Sequence, residues 1–294
     1  MRRLNHIHQE IAVTVAEIQN KGNGGMKTRI ISAVIGVAAV IVLLIFRFTV
    51  AMPIGLAFIS AVGVYEIFRA THSRYNAPMF ILSELFAIAL PFCVRYFTIP
   101  LNTLYYIYFA LFAAALMFKF ETKRMSRCFV SFVMVCSLTF GLSCAYAMFY
   151  WNYGMFYFLL AAFCAFITDS GAYFVGSAIG KHHFAPVVSP HKTVEGSIGG
   201  LASSLVVNII FAFIYSYGFA QGAKINFAVL IVTVLVASVA GMIGDLFASA
   251  VKRTYGIKDY GKIMPGHGGI MDRCDSLVFS LSAVMLIAQH FTVF

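Results

Sequence analysis

The sequence predicts an all-α, polytopic integral membrane protein of about nine transmembrane helices with a cytoplasmic N-terminus. Three observations carry that reading. Of 294 residues, 61% are apolar and only 11% charged, against roughly 25% charged in soluble domains. That excludes a soluble globular fold, and the hydrophobicity excludes a disordered chain. Nine apolar runs approach the length that crosses a hydrocarbon core, about 20 residues for a helix. With the N-terminus inside, 18 of the 21 Lys and Arg fall in cytoplasmic segments and only Arg47, Arg95 and Lys224 outside, as the positive-inside rule expects. The +10 charge thus serves topology and attraction to anionic lipid headgroups, and no nucleic-acid partner is needed to explain it.

Residues 1–25 are a polar extension whose Ile7, Ile11, Val15 and Ile18 have amphipathic helical spacing, and Met26-Lys27-Thr28-Arg29 offers an alternative start. Helix 1 is expected over 29–47, with a basic flank and no convincing cleavage site, hence an uncleaved signal anchor. Helix 2, over 49–69, stops at Arg69; helix 3, over 78–97, opens on Pro78; helix 4, over 100–118, lies between Pro100 and Lys119. Helix 5 is placed at 127–150, after Arg127 and before Asn152. Within these runs of residues 26–150 only Glu66 and Glu84 are acidic, so this half reads as scaffold and lipid-facing wall. Helix 6 (153–180) ends at Lys181, helix 7 (197–219) follows Gly196, helix 8 (225–253) ends on Lys252-Arg253, and helix 9 (274–292) follows Asp272-Arg273. Residues 151–294 are therefore read as the half that carries the chemistry, on cytoplasmic loops. The six cysteines form no CxxC pair and sit mostly inside apolar runs, where they serve as small core residues.

An unpaired carboxylate in hydrocarbon is costly and usually marks a site. Asp169, Glu195, Asp245, Asp259, Asp272 and Asp275 all lie in the second half, at helix ends or in loops on one side. Helix 6 aligns Asp169, Tyr173, Gly176 and Gly180 on one face, the glycines suiting close helix packing. The following loop, with Ser189, Lys192, Thr193, Glu195 and Gly196, mixes hydroxyls, a cation and small residues before a helix start, which suits phosphate. Helix 8 places Asp245, Ser249 and Lys252 on one stripe, where a mutually neutralised Asp and Lys is the plainer reading. The next loop interleaves five glycines with Lys258, Lys262 and His267, so that backbone amides can approach an anion that the cations neutralise. Mg²⁺ needs only one or two carboxylates beside substrate phosphate and water; Asp245 and Asp272 supply them provided helices 8 and 9 are neighbours.

The run Ser249-Ala-Val-Lys252-Arg253, then Lys258-Asp259, then Pro265-Gly-His267-Gly-Gly-Ile-Met-Asp272-Arg273-Cys-Asp275 resembles the signature of phosphatidate cytidylyltransferases, also called CDP-diacylglycerol synthases. The segments 169–180 and 189–196 and Gly244-Asp245-Leu246 are similar to the same family, so the likeness is specific over roughly 165–276. His191 and Ala248 depart from the Lys or Arg and the Glu common at those positions. The resemblance implies a Mg²⁺-dependent reaction of CTP with phosphatidic acid in the cytoplasmic (inner) membrane, giving CDP-diacylglycerol and pyrophosphate at the cytoplasmic face. It also implies a cation centre on Asp245 and Asp272, with room for a monovalent ion such as K⁺. Phosphate contacts are then expected from Lys192, Ser249, Lys252, Arg253, Lys258 and Arg273, and a backbone cradle from Gly266, His267, Gly268 and Gly269. Asp169, Ser189, Thr193, Glu195, Asp259 and Asp275 form a second tier, and Tyr255 or Tyr260 could stack on the base. Substrates aside, membrane lipids are expected partners and a homodimer is left open. Two rivals stand beside this: a CTP-dependent polyprenol kinase, which would yield CDP, and an ion-coupled secondary transporter, which would place its acids near the midplane between inverted repeats.

Overall fold

The computed structural model describes residues 31–73, 76–97, 99–118, 122–264, 266 and 268–294, the side chains of 118 and 122–124 excepted. The 1–25 extension, Met26, Pro265 and His267 lie outside the described residues. Among the described residues nine helices follow in order: α1 (Ile31–Ile45), then α2 (Ala51–Ala70), α3 (Ala77–Tyr96), α4 (Leu101–Phe118), α5 (Thr122–Met148), α6 (Gly154–Ile179), α7 (Val194–Gly218), α8 (Phe227–Thr254) and α9 (Met271–Ala288). Among the described residues there is no strand, only two isolated bridges, His183 with Thr193 and Met264 with Gly268. Of the described residues, six helices, α2, α3 and α5 to α8, are long and apolar enough to cross a membrane. Helices α1 and α4 are apolar but shorter, and α9 carries Asp272, Arg273 and Asp275 in its first turns. The chain is a multi-pass, all-helical membrane protein.

Two helix starts differ informatively from the sequence expectation. Helix α7 begins at Val194 and not at 197, because the Thr193 hydroxyl caps it by accepting from the Gly196 N–H at 3.1 Å. Helix α9 begins at Met271 and not at 274, so Asp272 stands in its first turn, where the positive end of the helix dipole favours a carboxylate.

Two apolar cores meet along α5 and α9. One gathers α2 to α5 around Phe68, Tyr108 and Leu138; the other gathers α6 to α9 around Phe156, Leu160 and Val284. Helices draw together in lipid through small residues, since lipid tails offer no hydrophobic push. A Cβ on Gly200 of α7 would lie 2.5 Å from the Thr168 carbonyl of α6, and one on Gly244 of α8 would lie 2.5 Å from the Asp275 carbonyl of α9. These approaches hold α6 to α9 as one packed group and bring their polar ends to the same end of the bundle.

Candidate active site at the α6 to α9 helix ends

The site is built from four chain segments: the second half of α6, the loop before α7, the last turns of α8 with its following loop, and the start of α9. The loop before α7 is fastened first. Glu195, in the first turn of α7, accepts from the Lys181 and His182 N–H groups through Oε2 and pairs with His182 Nδ1 through Oε1. Thr193 and Glu195 thus anchor the loop. Ser189 supplies its carbonyl to the Lys192 N–H at 3.2 Å.

So anchored, Lys192 reaches across to α8, where its Nζ lies 2.5 Å from Asp245 Oδ2, both side chains about a quarter exposed at 22% and 26%. Two turns along α8, Lys252 Nζ donates to Asp272 Oδ1 at 3.0 Å; these side chains are only 15% and 4% exposed. The Asp245 and Lys252 stripe foreseen on helix 8 is therefore not a self-neutralised pair. Each end is matched by a residue from another segment.

Asp272 is held on three sides, because its Oδ2 also accepts from the N–H groups of Tyr260 at 2.8 Å and Gly269 at 3.0 Å. Oδ2 is thereby saturated, while Oδ1 keeps a lone pair beyond the Lys252 bond. Asp245 stands among other acids: Asp169 of α6 has Asp245, Lys192 and Ser276 as its electrostatic neighbours, and Asp275 has Asp245, Lys252 and Asp169. Asp272 and Asp275, close in sequence, thus share Lys252 as a neighbour, and Asp275 also faces Asp245 and Asp169. With a rise of 1.5 Å per residue, Asp245 and Lys252 stand about 10 Å apart along α8, so the two lysine–aspartate pairs mark two levels of one site.

Tyr260 does not offer its ring to a base. It is 1% exposed, its hydroxyl donates to the Ala248 carbonyl at 2.9 Å, and Lys252 Nζ lies 5.5 Å from its ring centroid. Burial, reinforced by the charge of Asp272, pushes its phenol well above the ordinary value, so it stays a donor. Ala248 itself is fully buried beneath it. The Gly269 amide is taken by Asp272, which removes it from the expected phosphate cradle. Gly266 and Gly268 turn the loop with φ of 78° and 85°, a left-handed backbone that glycine adopts at little cost. Arg253, Lys258, Asp259, Gly266 and Arg273 are exposed, and Ser249 is half-buried. Arg253 Nε donates to the Val188 carbonyl at 3.3 Å, tying the two loops together.

One residue of the site went unread in the sequence. Glu66 of α2 is 1% exposed and accepts the Met271 N–H on Oε2 at 3.0 Å. As one of two acids in the apolar runs of the first half it carried a signal, but its partner lies 205 positions away.

These features define a class: a multi-pass membrane protein with a lysine- and aspartate-lined site, closed by a glycine-rich loop, at one end of its last four helices. The chain belongs to the cytidylyltransferase family, whose family model matches residues 27–291. It is similar to a phosphatidate cytidylyltransferase of Staphylococcus haemolyticus (strain JCSC1435), 42% identical over 134 residues, 46% of this chain and 49% of the relative. The phosphatidate cytidylyltransferase of Staphylococcus aureus (strain COL) is 44% identical over 134 residues with the same shares. That of Bacillus subtilis (strain 168) is 42% identical over 141 residues, 48% of this chain and 50% of the relative. The chain spans about half the length of the relatives it matches.

Proposed function

We propose that this chain transfers the cytidylyl group of CTP to phosphatidic acid, giving CDP-diacylglycerol and pyrophosphate, at the cytoplasmic face of the cytoplasmic membrane. The observation that carries the reading is the pair of lysines, Lys192 and Lys252, each aimed by an aspartate into one site that two polyanions would otherwise repel each other from. A phosphate oxygen of phosphatidic acid attacks the α-phosphorus of CTP in line. The new P–O bond forms as the bond to the β-phosphoryl oxygen breaks, and pyrophosphate leaves. The nucleophile is already an anion, so no strong general base is needed; positioning and charge neutralisation do most of the work.

Asp245 and Asp272 are the residues we assign to Mg²⁺, with Asp169 and Asp275 beside Asp245 and a monovalent ion such as K⁺ as companion. Carboxylate oxygens are the ligands Mg²⁺ takes, one or two of them beside phosphate and water; among the described residues no group of three or more His, Cys, Asp or Glu side chains could hold a metal ion. When bound, the ion neutralises charge developing on the phosphates. Lys192 and Lys252 bind phosphate oxygens and keep the aspartates oriented. Arg253, Lys258 and Arg273 draw the anionic substrates to the rim, and Ser249 adds a hydroxyl donor. The acyl tails enter sideways between helices while the headgroup stays at the interface.

The test is purified protein in detergent with CTP, phosphatidic acid and Mg²⁺, following pyrophosphate and cytidine label in the lipid phase. Both should appear together. Asp245→Asn and Asp272→Asn should each lower the rate by about 100-fold or more; near-normal rates in both would sink the metal assignment. Release of CDP in place of pyrophosphate would point to a kinase instead.

A further inference from the structure

We propose that Glu66 is a positioning residue, a clamp by which the first half of the chain holds the glycine-rich loop against the start of α9 and so fixes Asp272. The proposal rests on the reading above that this loop and Asp272 handle the nucleotide. Glu66 sits near the end of α2, 1% exposed. Its Oε2 accepts from the Met271 N–H at 3.0 Å, at the positive end of α9. Among the described residues its Oε1 has no donor in hydrogen-bond geometry, and the Ile270 backbone is a second polar neighbour of the carboxylate. That orphaned oxygen is wedged between the two arms of the loop: a Cβ on Gly261 would fall 1.7 Å from it, and one on Gly269 2.3 Å.

The three positions that Glu66 touches, two in the loop and one at the start of α9, are those that build the Asp272 environment. Gly261 follows Tyr260, whose N–H bonds Asp272; Gly269 bonds Asp272 itself; Met271 precedes Asp272 in the chain. A buried carboxylate with one oxygen unsatisfied is poor structural glue, because a leucine there would fill the space without the desolvation cost. Only glycine at 261 and 269 leaves room for it. The chain therefore accepts a costly group at the junction where α2, the loop and α9 meet.

Loop closure and turnover can be measured separately in the full-length protein. Limited trypsin cleavage at the exposed Lys258 and Lys262 reads the loop, with Lys181 in the other loop as internal reference. Glu66→Ala should speed cleavage at 258 and 262 by about tenfold relative to Lys181, since a local opening has lost its anchor. It should also lower kcat by about tenfold or more with KM for CTP changed less than about threefold. Glu66→Gln, which keeps shape and an acceptor for Met271, should restore most of both. Should Glu66→Ala not fold, Gly261→Ala expels the same oxygen by adding a methyl and is expected to loosen the same sites. The proposal is overturned if cleavage and kcat stay within twofold of wild type, or if Lys181 is exposed in parallel, meaning global loosening. Wild-type protein that makes no pyrophosphate, while Glu66→Ala still frees the loop, would instead sink the activity and leave the clamp standing.

Discussion

Lys252, 15% exposed over the buried ring of Tyr260, keeps a nearly buried Asp272 neutralised. Removing one partner of such a pair leaves a buried charge uncompensated, a loss of about 3–5 kcal/mol when burial is complete. Lys252→Ala should therefore lower the detergent melting temperature as well as turnover. Asp272→Asn leaves the Lys252 ammonium unpaired instead, but at 15% against 4% exposure that charge is better solvated, so this variant should cost turnover with a smaller stability loss. Equal melting temperatures for Lys252→Ala and wild type would contradict the pairing. The types and spacing of these residues were readable in the chain, because a carboxylate and an ammonium at the end of an apolar helix have few other uses. The pairing was not. Asp245 and Lys252 share a helix stripe, yet their partners come from the loop before α7 and the start of α9, and only packing decides which charge meets which.

Helices α6 and α7 carry the same lesson one level up. Glycines on helix 6 suggested close packing from spacing alone, and the structure supplies the counterpart faces: Gly196 approaches Gly176 and Ala172, and Gly200 approaches Thr168. That seam seats the start of α7, just after Lys192, against α6. Gly200→Leu should force the helices apart and destabilise by about 1–3 kcal/mol, visible as a lower melting temperature. Gly218→Ala, at an open position with nothing within 4 Å, should be neutral or gain at most about 1 kcal/mol from helix propensity. Similar losses at both positions would mean the seam is not the cause. Helix existence was legible because length and hydropathy are summed over about 20 residues. Helix starts were less so, since Thr193 and the Glu66 carboxylate shift them through single hydrogen bonds.

For the whole molecule, the nine-crossing reading of the sequence assigns the basic residues to opposite membrane faces, and this predicts sidedness. A membrane-impermeant maleimide should label Lys258→Cys only when the cytoplasmic face is open, and Lys224→Cys only from the opposite face; labelling of both from one side would refute the nine-crossing topology. The class of the protein, its helix order and the half that carries the charged site follow from the sequence alone, because burial in lipid penalises every polar residue that has no task. Which lysine neutralises which aspartate, the use of Gly269's amide, the burial of Tyr260 and the reach of Glu66 into the last helix were decided by tertiary structure. Each depends on contacts between segments distant in the chain, and the free energy of such a contact is set by geometry that no local pattern encodes.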